Sequence, residues 1–207
     1  MLDKIGNKFR LYQAKDYYSV CMWISMFHQR MECEKGDRYN TRMQYKILSL
    51  KRGMRNKDFI NKIVKKIKGY FGCNSIVVIP SSKKGFSNLQ KMLHSYVFER
   101  TEQVPSRKYQ QTGGLELTEG VKVDLSDIKG KILLIDDIIT TGTTMDAFAG
   151  KLKDFECAKF GIAINHKLEP VQIDKIEIQD NNEDVLTDLD INEYKIGLKD
   201  VICQDIK

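Results

Sequence analysis

Proline is scarce, at three in 207 residues, and the hydrophobic and charged fractions of 42% and 30% are those of an ordinary globular chain. Collagen-like, low-complexity and disordered-tail classes are excluded on that composition. The five cysteines (Cys21, Cys33, Cys73, Cys157, Cys203) are odd in number and form no C-x-x-C pair, which argues against a disulfide framework and a zinc ribbon alike. No long apolar run exists. The longest, residues 20–27, is eight residues interrupted by Ser25, against the ~20 needed to cross a bilayer. The first 13 residues mix Asp3, Lys4, Lys8 and Arg10 with no apolar core, so no secretory signal is expected there. There is no internal repeat. The expectation is a reduced, cytoplasmic protein that does not enter a membrane, long enough to bury roughly 70% of its unfolded surface in one real core.

Charge is unevenly placed. Residues 1–110 hold 23 Lys and Arg against 8 Asp and Glu, whereas residues 111–207 hold 11 against 20. A basic half suits a polyphosphate or a nucleic acid, and equally a solvated helix face such as Lys62, Lys65, Lys66 and Lys68. Nucleic acid is therefore carried as a partner of the basic N-terminal half.

Periodicity supplies the elements. Residues 56–71 read as a capped helix, with Phe59, Ile60, Ile63, Val64, Ile67 and Phe71 at helical spacing and Gly72 closing it. Residues 75–79 are a short continuous apolar strand stopped by Pro80, and 81–85 a polar turn. Residues 86–98 read as a second helix through Leu89, Leu93 and Val97, and 99–120 as a long polar connection with room for a strand pair. A buried strand at 131–135, a helix at 143–155 through Met145, Phe148, Leu152 and Phe155, and a strand at 159–164 follow. Met22, Trp23, Met26 and Phe27 read as helix core or an oligomer contact, and a homo-oligomer is expected. The alternation predicts an α/β fold, a doubly wound parallel sheet with a helical N-terminal appendage. The expected divisions are a basic helical appendage at 1–72, a core at 73–168, and an acidic segment at 169–207. The last 38 residues hold ten acids and four lysines, with an alternating strand at 173–178.

The informative string is Ile132-Leu133-Leu134-Ile135-Asp136-Asp137-Ile138-Ile139-Thr140-Thr141-Gly142-Thr143-Thr144. A buried strand that ends in two carboxylates places both at the carboxyl edge of the sheet, where α/β proteins bind ligands. The hydroxyl-rich turn broken by Gly142 then opens a helix, whose free N–H groups and dipole favour a phosphate. An anion cradle beside two carboxylates fits a sugar phosphate, with the phosphate on the loop and the ribose hydroxyls on the acids. The Asp pair alone favours a Thr-capped helix after a strand, with two solvent-facing aspartates; the whole string favours the ligand site.

This string resembles the phosphoribosyl-pyrophosphate (PRPP) loop of type I phosphoribosyltransferases, and the resemblance covers about residues 45–166. It implies a fold of that family's type and an enzyme that displaces pyrophosphate from PRPP with a nitrogen acceptor such as a nucleobase. It implies that Asp136 and Asp137 hold the ribose hydroxyls, that Thr140, Thr141, Gly142, Thr143 and Thr144 wrap the 5′-phosphate, and that Mg²⁺ is carried on the pyrophosphate, with no protein residue assigned as its ligand. Pro80 with Ser81, Ser82, Lys83 and Lys84 resembles the pyrophosphate-binding loop, though a basic surface turn would look alike. Residues 100–114 match the position of the family's mobile loop, from which Arg100, Arg107 and Lys108 would reach pyrophosphate during catalysis. Loop solubility accounts for the same residues.

Within the family, Ile47-Leu48-Ser49-Leu50-Lys51-Arg52-Gly53, the helix and strand after it, Pro80 and Gly85-Phe86-Ser87-Asn88 resemble the ComF group. The zinc-ribbon cysteine pairs of many ComF proteins are absent, and Lys84-Gly85 stands where Arg-Gly is usual. The strand from Gly161 ending in His166-Lys167 is similar to hypoxanthine-guanine salvage enzymes, which place a lysine there against the purine oxygen. His166 itself reads as a strand-end histidine. A further alternative is a non-catalytic, nucleic-acid-associated ComF-like protein that senses PRPP or a nucleotide.

Overall fold

The computed structural model describes residues 8–23, 39–40, 43–44, 47, 57–82, 84–103 and 117–177. Its elements run β1 (Lys8–Ala14), β2 (Tyr17–Ser19), β3 (Met22–Trp23), α1 (Lys57–Tyr70), β4 (Ser75–Val78), α2 (Asn88–Leu93), β5 (Phe98–Arg100), β6 (Val121–Val123), β7 (Ile132–Ile139), α3 (Thr143–Gly150), β8 (Cys157–Asn165), a 3₁₀ turn (His166–Leu168) and β9 (Val171–Glu177). A seven-stranded sheet has the order β4-β7-β8-β2-β1-β9, with β3 also pairing β8. The pairs β4–β7, β7–β8, β2–β8 and β3–β8 are parallel, and β1 is antiparallel to both β2 and β9. Strands β5 and β6 form a separate antiparallel pair.

The unbroken apolar run of β7 has its cause in two covered faces. Leu133 and Ile135 lie in one core cluster with Ile60, Ile63, Val64 and Ile67 of α1 and with Leu89 and Met92 of α2. Ile132 and Leu134 lie in the other with Met145 and Phe148 of α3 and with Phe98. Each of the four buried α1 side chains contributes roughly 1.5–3 kcal/mol on this reckoning. Asp58 in the first turn of α1 and Lys68 in its last complement the helix dipole.

The chain departs from its periodicity in several places. Residues 8–23 hold three strands, not helix: Lys8–Ala14 alternates buried and open positions except at Leu11 and Tyr12, both buried where the register with β9 shifts, and β2 joins the parallel sheet beside β8. Met22 and Trp23 form β3 opposite Ile164 and Asn165, while Met26 and Phe27 lie outside the described residues. Helix α1 packs on the central sheet, and β1, β2 and β9 complete that sheet, so the expected divisions at 72 and 168 do not separate structural units. The helix expected over 86–98 is only Asn88–Leu93. A capping box between Ser87 and Gln90 starts it, and left-handed His94 ends it. The stop lets Ser95 serve β4, where its hydroxyl accepts from Val78 N at 3.0 Å and donates to Ile76 O at 3.1 Å. Phe98 is then free to bury against Phe148, with ring centroids 4.9 Å apart. Helix α3 ends at Gly150, but i−3 bonds from Leu152 N and Phe155 N continue the turn, which keeps Leu152 buried as its spacing predicts.

Candidate active site

Strand β7 is longer than its apolar letters suggest and carries the carboxylates within it. Asp136 pairs with Gly161 of β8, and pairing continues to Ile139 opposite Ile164. Asp136 and Asp137 are both half-buried, and Asp137 N donates to Asp136 Oδ1 at 2.8 Å. The backbone thereby fixes one carboxylate through its neighbour's amide.

The chain then turns into α3. Thr141 and Thr143 are exposed and share a 2.9 Å contact between their hydroxyl oxygens. Gly142 is the N-cap, with φ of 87° and no side-chain cap bond. The first-turn amides of a helix have no intrahelical acceptors; here Thr143 N makes a long 3.4 Å bond to Thr141 Oγ1, and the glycine cap offers no side chain to the amides that follow, which suits an anion. Gly142 is also a steric requirement: a Cβ built there would lie 2.2 Å from Tyr17 Oη.

Tyr17 comes from β2 and supports the loop from below. Its hydroxyl donates to Asp146 Oδ2 at 2.6 Å, and Lys159 Nζ of β8 donates to Asp146 Oδ1 at 2.8 Å and to Asp16 Oδ2 at 2.6 Å. The Lys159 ammonium also lies 5.4 Å from the centroid of the Tyr17 ring. Burial raises the Asp146 carboxyl, but hydrogen bonds from Lys159 and Tyr17 and the charges of Lys159 and Lys15 outweigh it, holding the group below the usual carboxylate value. Burial and the bond to Asp146 push the Tyr17 phenol up to about 12. Burial disfavours the Lys159 ammonium, yet its bonds to Asp146 and Asp16 prevail and raise it.

The β4–β7 pairing brings a second loop to the same edge. Ile79 N donates to Ile135 O at 2.8 Å, so the chain beyond Pro80 leaves the sheet next to Asp136. Ser81, Ser82 and Lys84 are exposed on this loop. Lys167 is exposed on the 3₁₀ turn that follows β8, again at the carboxyl edge. His166 Nδ1 lies 3.2 Å from Trp23 O, a strand-end contact. Three adjacent parallel strands thus place the Asp pair, the Thr/Gly turn, the Ser/Lys loop and Lys167 along one edge.

Arg100 departs from its expected place on a mobile loop. It ends β5, is only 3% exposed, and donates to the carbonyls of Ser81, Glu119 and Leu117. Those contacts direct its fork at main chain. Lys83, Arg107 and Lys108 lie outside the described residues.

Tyr17, Asp146 and Lys159 were not legible as site residues. Asp146 had one available signal, its place two residues after the Thr144 that ends the string. Tyr17 reaches the loop by a contact across 129 residues that no local pattern announces.

Residues 47–192, more than half of the chain, match the family model described as the phosphoribosyl transferase domain. The matched span holds Ser81 through Lys84, Arg100, the 136–144 string and Lys167, and leaves Asp16 and Tyr17 outside. Compared with curated proteins, the sequence matches none. Among the described residues, no helix is long and apolar enough to cross a membrane.

Proposed function

The chain belongs to the phosphoribosyltransferase family, and on that footing we propose that it binds PRPP with Mg²⁺ and transfers the phosphoribosyl group to a nitrogen acceptor. The observation that carries this reading is the half-buried Asp136–Asp137 pair in β7, followed within a few residues by the glycine-capped N-terminus of α3.

In this reading the turn at 140–144 takes the 5′-phosphate on the hydroxyls of Thr140, Thr141, Thr143 and Thr144 and on the first-turn amides of α3. Asp136 and Asp137 accept the ribose hydroxyls. The bond between the anomeric carbon and the pyrophosphate oxygen breaks with its electron pair leaving on pyrophosphate. The acceptor nitrogen supplies the pair for the new C–N bond and then releases its proton. Positive charge grows on the ribose as the leaving group departs, and the two carboxylates stabilise that charge. Ser81, Ser82 and Lys84 receive the pyrophosphate, and Lys83, Arg107 and Lys108 are assigned to it by resemblance.

Paired half-buried carboxylates are hard oxygen donors of the kind Mg²⁺ takes, often through retained waters, so Asp136 and Asp137 fit that ion. When bound, Mg²⁺ supplies charge neutralisation on the pyrophosphate oxygens.

Lys167 favours one choice of acceptor. Lys167 is exposed past the end of β8, and in this reading it would donate to an exocyclic oxygen such as a hypoxanthine-guanine-type purine offers. The test is pyrophosphate release from PRPP and Mg²⁺ with a panel of nucleobases. Release with oxopurines supports the purine reading, and release with other nitrogen acceptors supports transfer to a different substrate. PRPP binding without release with any acceptor would replace the enzyme by a non-catalytic, ComF-like sensor.

A further inference from the structure

Arg100 serves two loops at once. Its Nε donates to Ser81 O at 2.9 Å, on the loop assigned to pyrophosphate. Its two terminal nitrogens donate to Glu119 O at 3.2 Å and Leu117 O at 3.1 Å, in the turn that leads into β6. Its own carbonyl accepts from Gly85 N at 2.9 Å, so the Ser81 and Gly85 ends of the loop are both held by one residue. Gly85 has φ of 90°, a backbone conformation that the bond to Arg100 helps to fix. The same strand end is tied to the β6 side again, since Thr101 N and Oγ1 both reach Gly120 O, at 2.7 and 2.9 Å.

A buried guanidinium is costly unless its donors are used, and here the three nitrogens go to three carbonyls in different directions. Only a planar fork meets that geometry; an ammonium of the same charge cannot reach all three. The arrangement fixes the spacing of Ser81 and Gly85 from the 117–120 turn.

We infer that Arg100 is a positioning residue for the pyrophosphate end of the site, setting the 81–85 loop and coupling it to the 117–120 turn. The inference rests on the assignment of that loop to pyrophosphate. It differs from a charge role in one respect: keeping the charge without the fork does not preserve function.

The test is calorimetric titration of pyrophosphate with Mg²⁺, and separately of ribose 5-phosphate, into wild type, Arg100→Lys and Arg100→Gln, with thermal melts of each. The expected result is that both variants bind pyrophosphate about tenfold more weakly, the equivalent of one well-placed hydrogen bond, and bind ribose 5-phosphate as wild type does. Wild-type affinity for pyrophosphate in Arg100→Lys overturns the positioning role, as does equal weakening for both ligands. A wild type that binds neither ligand overturns the proposed function itself, and this inference with it. Should the variants not fold, hydrogen exchange on wild type decides: pyrophosphate should slow exchange over 79–87 and 117–123 together. Slowing confined to 79–87 refutes the coupling.

Discussion

Tyr17 Oη donates to Asp146 Oδ2 at 2.6 Å, joining a short strand near the start of the chain to the first turn of the helix that opens from the Thr/Gly loop. The same ring lies where a side chain at Gly142 would have to go. The loop is therefore shaped from beneath by a residue outside the matched family span, and β2 is part of the site's foundation.

Removing the hydroxyl with Tyr17→Phe keeps the ring under Gly142 and deletes the bond to Asp146. A net loss of about 1 kcal/mol is expected for a hydrogen bond of this kind. For a chain of this size that lowers the melting temperature by roughly 2–4 °C. PRPP affinity should fall severalfold, because Asp146 then keeps the hydrogen bond from Lys159 but loses the one from Tyr17. A melt and a PRPP titration on the one variant check both.

Gly142→Ala adds two penalties, a Cβ at 2.2 Å from Tyr17 Oη and a φ of 87° that alanine adopts only under strain. The backbone term is about 1–2 kcal/mol. PRPP binding should drop by at least tenfold. The double variant Gly142→Ala with Tyr17→Ala removes the collision but not the strain, so it should recover part of the binding loss. No recovery, with the double variant folded, would show that the ring does not set the loop.

Asp146 sets an acid limit on stability. Its folded pKa lies below its unfolded value, so the stabilisation it confers is complete above about pH 4 and is lost as pH falls through the folded value. Asp146→Asn should be less stable than wild type at pH 7, with the gap closing below about pH 4. Urea midpoints from pH 3 to 7 for the two proteins measure that gap. On the alkaline side the sign reverses. Tyr17 is raised to about 12, so its contribution is present below about pH 10 and fades as pH rises through the folded value.

The central layers were readable because their signals are local. The helix at Lys57–Tyr70 followed from i, i+3, i+4 spacing, and β7 from a run of apolar residues flanked by turn chemistry. The 136–144 string was readable because a strand end, two acids and a glycine turn lie consecutively in the chain. What was not readable depends on distant partners. Residues 8–23 look unremarkable until β8 and β9 offer edges on which to pair. The stretch at 94–98 was helical by spacing, but Ser95 gains more by bonding Ile76 and Val78 than by continuing the helix. Arg100 looked like loop charge because three scattered carbonyls leave no trace in a linear pattern.

The most direct test is calorimetric titration of PRPP, with and without Mg²⁺, into wild type and the double variant Asp136→Asn/Asp137→Asn. Asparagine keeps the oxygen that Asp137 N bonds, so the fold should persist while both charges are lost. The account predicts micromolar, Mg²⁺-enhanced binding by wild type that the double variant loses at an unchanged melting temperature. Absence of binding by folded wild type, or undiminished binding by the variant, would contradict it.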